Sequence, residues 1–370
     1  MRSLDNIKII ISGGGTGGHI FPAIAIANAL KDIDPSIEIL FVGAEGKMEM
    51  EKVPAAGFTI EGLPIAGIKR EFSIANLSFP IKLFKSLKKA GSIMKKFNAD
   101  VAVGVGGYAS GPMLFTASQK GIPTLIQEQN SYPGITNKIL AKRASKVCVA
   151  YENMNKYFES EKIVFTGNPV REDIKHIEGK KEEACKFFNL NPNKPILLIV
   201  GGSQGARSIN RAIKSGLKQI QEAEIQLIWQ TGKLFFSEAK EAIESLNVTS
   251  LHAFDFISKM DLAYAAADAV VSRAGASTVS ELCIVKKPAI LVPLPTAAED
   301  HQTKNCIALV ERKAALLVND KEVATSLVKE ALQLVANTEL RKSLSENIAV
   351  MARPDAAQQI AKEVLCLVKK

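Results

Sequence analysis

The sequence predicts two doubly wound parallel α/β domains in tandem. Three observations carry that reading. Residues 7–30 run as strand, glycine loop and helix, and the same plan restarts at residue 195. Around both points short β-branched runs alternate with helical stretches, the pattern of a parallel sheet covered on both faces. A chain of 370 residues is long for one core and comfortable for two.

Ile7-Lys-Ile-Ile-Ile11 is long enough for one buried strand. Ser12 leads into Gly13-Gly14-Gly15-Thr16-Gly17-Gly18-His19, and residues 20–30 read as a helix with Pro22 in its first turn. This geometry directs backbone N–H groups and a helix N-terminus at an anion, usually a phosphate. Gly13, Gly15 and Gly18 also satisfy G-x-G-x-x-G. A dinucleotide site, however, needs an acid at the end of the second strand. That strand, residues 37–42, ends in Gly43-Ala44, and Glu45 is displaced. His19 also argues against it, because an imidazole at a positive helix end is held neutral and able to accept a proton.

A loop-rich stretch with a short β run at 58–60 follows. The chain then turns basic: residues 69–96 hold eight Lys/Arg against one acid, Glu71, which is seven of the nine net positive charges. Leu83, Phe84, Leu87, Ala90, Met94 and Phe97 recur at helical spacing, with the lysines mostly opposite. Two readings stand. One is a solvated lysine face on a helix that covers the sheet. The other is a membrane-surface patch, in which Leu77, Phe79, Ile81 and Phe84 enter an anionic interface beside Lys82, Lys85, Lys88 and Lys89. Nucleic acid is set aside, since the chain shows no aromatic interleaving and no binding-fold signature.

Strands at 101–105, 124–126, 146–149 and 162–165 complete the first sheet. The first of these ends in Gly106-Gly107-Tyr108-Ala-Ser110-Gly111, and the second in Gln127-Glu128-Gln129-Asn130. Ligands of such sheets bind outside the carboxyl ends of the strands. His19, Tyr108, Glu128 and Asn130 all fall there, which marks a cleft. Thr166-Gly-Asn-Pro-Val-Arg171 breaks the alternation, and a charged run to residue 183 reads as a junction. The expected domains are 1–168 with 353–370, and 169–352.

The second unit opens with a strand at 195–200, the loop Gly201-Gly-Ser203-Gln-Gly205-Ala-Arg207 and a helix from Ser208. Residues 226–230 form a strand with Trp229 in the core, and a further segment runs from Phe254 through Ile257 to Met260. A strand at 268–272 enters Arg273-Ala-Gly275-Ala276-Ser277-Thr278-Val279-Ser280-Glu281, the best phosphate cradle of this half. Gly275 lets a ligand approach, while Ser277 and Thr278 add donors at a helix N-terminus. Two roles for Glu281 stay open: a Thr-x-x-Glu capping box with Thr278, or an acceptor for a ribose diol. After a strand at 289–292, His301 and Gln302 sit at a helix start.

No apolar run approaches the roughly 20 residues of a membrane span, and no signal peptide is expected before the first strand. The five cysteines are scattered without a C-x-x-C, which points to reduced thiols in a cytoplasmic protein. The four histidines have no metal-ligand spacing. Asp32-Ile-Asp34 matches the string of a metal-dependent transferase, but it follows the first helix and falls at the wrong edge of the sheet.

Seven motifs occur in family order: 13–19, 106–111, 128–130, 166–171, 201–207, 273–281 and 300–302. Together they resemble the MurG family of bacterial peptidoglycan glycosyltransferases, over essentially the whole chain. The resemblance implies the GT-B fold, two Rossmann-like domains with an interdomain cleft and a last helix returning to the first domain. It implies transfer of GlcNAc from UDP-GlcNAc to undecaprenyl-pyrophosphoryl-MurNAc-pentapeptide (lipid I), giving lipid II. No cofactor and no metal are implied, UDP-GlcNAc being the co-substrate. By position, Thr16, Gly17 and Gly18 lie at the donor diphosphate and cleft floor, Asn130 at the GlcNAc hydroxyls, and Arg171 and Ser203 at the diphosphate. Ile257 reads uracil through its backbone, Ala276, Ser277, Thr278, Val279, Ser280 and Glu281 hold phosphate and ribose, and Gln302 contacts the sugar. His19, Tyr108 and Glu128 fall on the acceptor side, with His19 the candidate general base. Gln127 stands where many members carry His, so no imidazole role carries over to that position. The implied setting is peripheral, on the cytoplasmic face of the inner membrane, with an anionic lipid surface and other cell-wall synthesis proteins as partners.

Two rivals differ in class and another is closer. A nicotinamide oxidoreductase would use the glycine fingerprint, and a non-catalytic membrane scaffold would not need two ligand-edge motifs in one chain. Another GT-B enzyme, with a different sugar or lipid acceptor, differs only on the acceptor side.

Overall fold

The computed structural model describes residues 7–65, 67, 79–202 and 204–368. The chain divides into two compact units, Met1–Arg171 with Pro354–Lys370, and Glu172–Arg353.

The first unit is built on seven parallel strands: β1 (Lys8–Ser12), β2 (Glu38–Ala44), β3 (Thr59–Leu63), β4 (Val101–Gly104), β5 (Thr124–Glu128), β6 (Lys146–Val149) and β7 (Ile163–Phe165). Their order is β3-β2-β1-β4-β5-β6-β7. The chain reverses its direction of winding between β1 and β4, the crevice where doubly wound sheets take ligands. The middle of β1 is apolar because both its faces are covered: Ile9, Ile10 and Ile11 are all fully buried. Against one face lies the helix Gly17–Ile33, through Ile20, Ala23, Ile26, Ala27 and Leu30. The helix Ala356–Cys366 returns to this same layer and adds Ala357, Ile360, Ala361 and Val364 to its core.

The second unit carries six parallel strands: β8 (Ile196–Val200), β9 (Gln226–Gln230), β10 (Leu251–Phe254), β11 (Ala269–Ser272), β12 (Ala289–Leu291) and β13 (Leu316–Leu317). The order β10-β9-β8-β11-β12-β13 places its switch point between β8 and β11. Trp229 is fully buried, with its indole N–H donated to Asn210 Oδ1 at 3.1 Å.

Several local expectations are corrected. The first helix begins at Gly17, not Ile20, so Pro22 lies in its second turn rather than its first. A proline there cannot donate to Gly18, which leaves that first turn loosely tied. β5 runs on through Gln127 and Glu128, because both side chains find buried partners. The segment from Phe254 contains the end of β10 and then a turn, and a separate helix, Met260–Ala266, is buried on every side. No helix among the described residues is long and apolar enough to cross a membrane. Of the five cysteines, all free, four are buried, whereas Cys366 is exposed.

The basic stretch forms the helix Phe79–Phe97. Its core stripe is Phe79, Leu83, Ala90, Ile93, Met94 and Phe97. Phe84 is not on it: one residue past Leu83 the helix has turned by about 100°, and Phe84 is 70% exposed. Ile81, at 60% exposed, shares that outer face, whereas Phe79 is turned to the core rather than to the expected patch. Lys85, Lys88 and Lys89 are exposed, Lys89 pairing with Glu45 at 2.8 Å. Leu77 lies outside the described residues.

Candidate active site

In the first unit the loops after β1 and β4 meet at the switch point. Gly14 N–H donates to Gly106 O at 3.3 Å, and the buried Ser110 hydroxyl donates to Ser12 O at 2.6 Å. The approach is close enough to require glycine. Gly107 has φ +86°, and a Cβ there would strike the Gly14 carbonyl oxygen. Gly106 has φ +93°, and its Cβ would lie 2.8 Å from the His19 ring.

His19 sits in the first turn of the helix Gly17–Ile33 with Nδ1 3.1 Å from Gly14 O. A carbonyl only accepts, so Nδ1 carries the proton in the neutral ring and the lone pair is on Nε2. Thr16 is the exposed N-cap, and Gly17 and Gly18 begin the helix. Tyr108 is half exposed, with its ring over the backbone of Gly67.

Glu128, expected on the acceptor side, ends β5. It is buried, and its carboxylate accepts from Asn130 N–H at 2.9 Å, Asn130 Nδ2 at 3.3 Å, Gly134 N–H at 3.2 Å and Asn137 Nδ2 at 2.8 Å. Burial pushes its carboxyl above the usual range, against the pull of those donors. The geometry is that of a group that fixes the 128–137 turn and so positions Asn130. Gln127, fully buried, donates to Asn168 Oδ1 at 2.8 Å, and Asn168 donates to Gln129 O at 2.9 Å. Arg171 closes this unit with its guanidinium 5.8 Å from the Phe21 ring.

In the second unit the loops after β8 and β11 flank the switch point. Ser203 lies outside the described residues. Around it, Gln230 Nε2 donates to Gly202 O at 3.1 Å and Gln230 Oε1 accepts from Ile257 N–H at 2.9 Å. The Ile257 N–H therefore already has a partner within the chain. Gly275 is the N-cap of the helix Ala276–Val285, and a Cβ built on it would meet nothing closer than Thr278 Oγ1 at 4.0 Å. Its N-terminal turn carries Ala276, Ser277 and Thr278, followed by Val279 and Ser280. The Ser277 hydroxyl is buried and has no hydrogen-bond partner among the described residues, while Ser280 Oγ donates to Ala276 O at 3.0 Å.

The two roles for Glu281 are now separable. With Gly275 as N-cap, Thr278 is the third helical residue and Glu281 the sixth, too far along for a capping box. Glu281 instead accepts the Tyr264 hydroxyl at 3.0 Å, and Tyr264 is fully buried. Gln302 Oε1 accepts Leu294 N–H at 2.9 Å, which leaves its amide nitrogen as a donor. Arg273 is structural: it bonds Asp320 Oδ1 at 2.6 Å and the carbonyls of Val292 and Pro293.

Two residues of this geometry escape a reading of the sequence. Tyr264 lies in a short helix with no motif of its own. Glu49 is buried after β2, its carboxylate accepting Gly15 N–H at 2.8 Å and Ala44 N–H at 3.0 Å. An acid in a helix's first turn reads as a dipole match. Nothing in the sequence ties it to a loop 34 residues earlier.

The fold and these loops define a class. Residues 9–149 match the glycosyltransferase family 28 N-terminal domain and residues 196–360 its C-terminal domain, so the chain is a glycosyltransferase of the GT-B fold. It is 54% identical, over 99% of its length and 98% of the relative's, to the UDP-N-acetylglucosamine–N-acetylmuramyl-(pentapeptide) pyrophosphoryl-undecaprenol N-acetylglucosamine transferase of Phocaeicola vulgatus. The protein of the same name from Parabacteroides distasonis is 53% identical over 98% of this chain and 99% of its own. The chain belongs to this family of N-acetylglucosamine transferases. The crystal structure of Acinetobacter baumannii MurG matches with a TM-score of 0.79 at 28% identity, covering 97% of this chain and 99% of that one. A UDP-GlcNAc 2-epimerase from Neisseria meningitidis bound to UDP-GlcNAc (TM-score 0.68, 13% identity, 98% and 100% covered) shares the fold alone.

Proposed function

We propose that this chain transfers GlcNAc from UDP-GlcNAc to the 4-hydroxyl of MurNAc in undecaprenyl-pyrophosphoryl-MurNAc-pentapeptide. The observation that carries this reading is the near-full-length match to relatives named for that reaction. The MurNAc oxygen attacks the sugar C1, the bond from C1 to the phosphate oxygen breaks, and the α-linked donor gives a β product. His19 takes the hydroxyl proton at Nε2. The leaving UDP carries the charge, which backbone N–H groups of Ala276–Thr278, the Ser277 hydroxyl and Arg171 stabilise without an added metal ion. Glu281, held by Tyr264, accepts from the ribose diol. Ile257 meets uracil through its carbonyl, its N–H being taken by Gln230. Gln302 and Asn130 meet the sugar, and Ser203, Thr16, Gly17 and Gly18 serve the diphosphate side. Glu128 positions Asn130, and Tyr108 lies toward the acceptor.

The acceptor is a lipid, and the outer face of the helix Phe79–Phe97 suits a lipid surface. Ile81 and Phe84 enter the interface while Lys82, Lys85, Lys88 and Lys89 meet anionic headgroups. The enzyme would then work peripherally at the cytoplasmic face of the inner membrane, beside other cell-wall synthesis proteins, and its loss would disturb cell shape and division.

The test is transfer of radiolabelled GlcNAc to a short-chain lipid I analogue. Wild type transfers; His19→Ala keeps UDP-GlcNAc binding but loses about 100-fold or more in kcat; Glu281→Ala weakens UDP binding. A folded wild type that binds UDP-GlcNAc but transfers nothing would direct the search to other membrane glycolipids. Near-normal turnover by His19→Ala would remove the base assignment.

A further inference from the structure

One peptide group links the buried Glu49 to His19. The peptide between Gly14 and Gly15 gives its N–H to Glu49 Oε2 at 2.8 Å, and its carbonyl lies 3.1 Å from His19 Nδ1. Imidazole, peptide and carboxylate therefore stand in series: Nδ1–H donates to the Gly14 carbonyl, and the Gly15 N–H donates to the carboxylate. Hydrogen bonds in such a series polarise one another. The negative carboxylate draws the Gly15 N–H, the Gly14 carbonyl becomes a stronger acceptor, and Nδ1–H is held as the proton-bearing nitrogen.

The surrounding structure over-determines this peptide. Gly14 adopts φ +146°, and a Cβ there would run into the Glu49 carboxylate. A Cβ on Gly43 would lie 2.5 Å from Glu49 Cγ. Gly107 faces the Gly14 carbonyl from the other loop with no room for a side chain, and Glu49 Oε1 is fixed by Ala44 N–H. Glycines at 14, 43 and 107 thus make space for one carboxylate and one carbonyl orientation.

We propose that Glu49 is a positioning residue for the transfer reaction, setting the tautomer and basicity of His19 through the Gly14–Gly15 peptide. It rests on the reading of His19 as the base. The arrangement does what a carboxylate bonded directly to a catalytic imidazole does, with a peptide interposed. Tyr108 follows two residues after Gly106, whose Cβ would lie against the His19 ring, and the Arg171 guanidinium lies 5.8 Å from the ring of Phe21 in the same helix as His19.

The experiment is nitrogen-15 NMR of the full chain labelled in histidine, alongside the pH profile of transfer. There are four histidines, and the His19 signals are those lost in His19→Gln. In the wild type the neutral His19 ring carries its proton on Nδ1; a neutral ring protonated on Nε2 would overturn the proposal. In Glu49→Gln the negative charge is gone, so His19 titrates at lower pH and the acid limb of kcat/KM moves down with it. There kcat falls roughly ten-fold, while KM for UDP-GlcNAc stays within about two-fold. A folded Glu49→Gln whose His19 tautomer and titration equal the wild type's overturns the proposal, even if the rate falls. A shifted His19 titration with an unshifted rate profile upholds the link and refutes His19 as the base. Should Glu49→Gln not fold, the wild-type tautomer and the titration in Glu49→Asp, which keeps the charge, decide the matter: a retained Nδ1 proton supports the link, an Nε2 proton ends it.

Discussion

A glycine and a lysine show how single residues carry the chemistry and the stability of this chain. Gly275 has a φ of −66°, which any residue adopts, and open space around its missing Cβ. The fold does not need glycine there, so the reason for it lies with the ligand. Gly275→Ala should cost under about 1 kcal/mol of stability and weaken UDP binding by roughly ten-fold or more, as read by thermal melting and calorimetric titration. Unchanged affinity would mean that no phosphate approaches that turn. Lys287 lies between the helix Ala276–Val285 and β12: burial pushes its ammonium down to about 8, and its Nζ donates to Ala267 O at 2.6 Å. Below about pH 8 it is charged folded and unfolded alike, and the burial penalty is fully felt. Between about 8 and the ordinary 10.5 the folded lysine has lost its proton while the unfolded one keeps it, so stability rises with pH across that window. Lys287→Met should therefore raise Tm by roughly 2–4 °C at pH 7, and the gain should shrink as pH climbs through the window. A gain that is constant with pH would assign the effect to packing alone.

At the scale of the element, the helix Phe79–Phe97 divides its labour by face. The core stripe is fixed by sheet packing, and the outer face holds Ile81, Phe84 and the lysines. Replacing Ile81 and Phe84 by Ser should leave Tm within about 1 kcal/mol equivalent, since both side chains are solvated. It should reduce binding to vesicles rich in anionic lipid by ten-fold or more, in a flotation assay, with transfer to a soluble acceptor analogue retained. Equal vesicle binding by the variant would remove this face from the membrane reading. Amphipathicity and the charge run were legible in the sequence. The side on which Phe79 and Phe84 fall was not, because a one-residue difference in phase is 100° of rotation and only the packed sheet sets the phase.

At the scale of the molecule, each unit has a core of its own, and the first is completed by the distant segment 354–370. Ile360, Ala361 and Val364 are fully buried in the layer of Ile9, Ile11, Ile20 and Leu30. A chain ending at residue 353 should lose about 4–6 kcal/mol from the first unit, estimated from the burial of Ile360, Val364 and two alanines. Two-step melting, with only the earlier step displaced by the truncation, is the expected observation. A single unshifted transition would show that the segment adds nothing.

The alternation of strands and helices, the two glycine loops and the motifs that carry the family are legible along the chain. These features are local in the chain: a β-branched run, a turn needing glycine, a helix start with Ser and Thr. The sequence also marked His19 and the 273–281 turn by type and spacing, and Arg171 through the family motif that carries it. What each side chain meets is set by the packing of the folded chain. Glu281 is held by Tyr264 rather than by a cap, Glu128 is spent on four donors, and Glu49 reaches a loop 34 residues away. The donors of Glu128 are gathered by one local turn, while the Tyr264–Glu281 and Glu49–Gly15 contacts join segments that a parallel sheet brings together across crossovers. A pattern read along the chain carries no record of them, because the partner is chosen by sheet order and not by sequence distance.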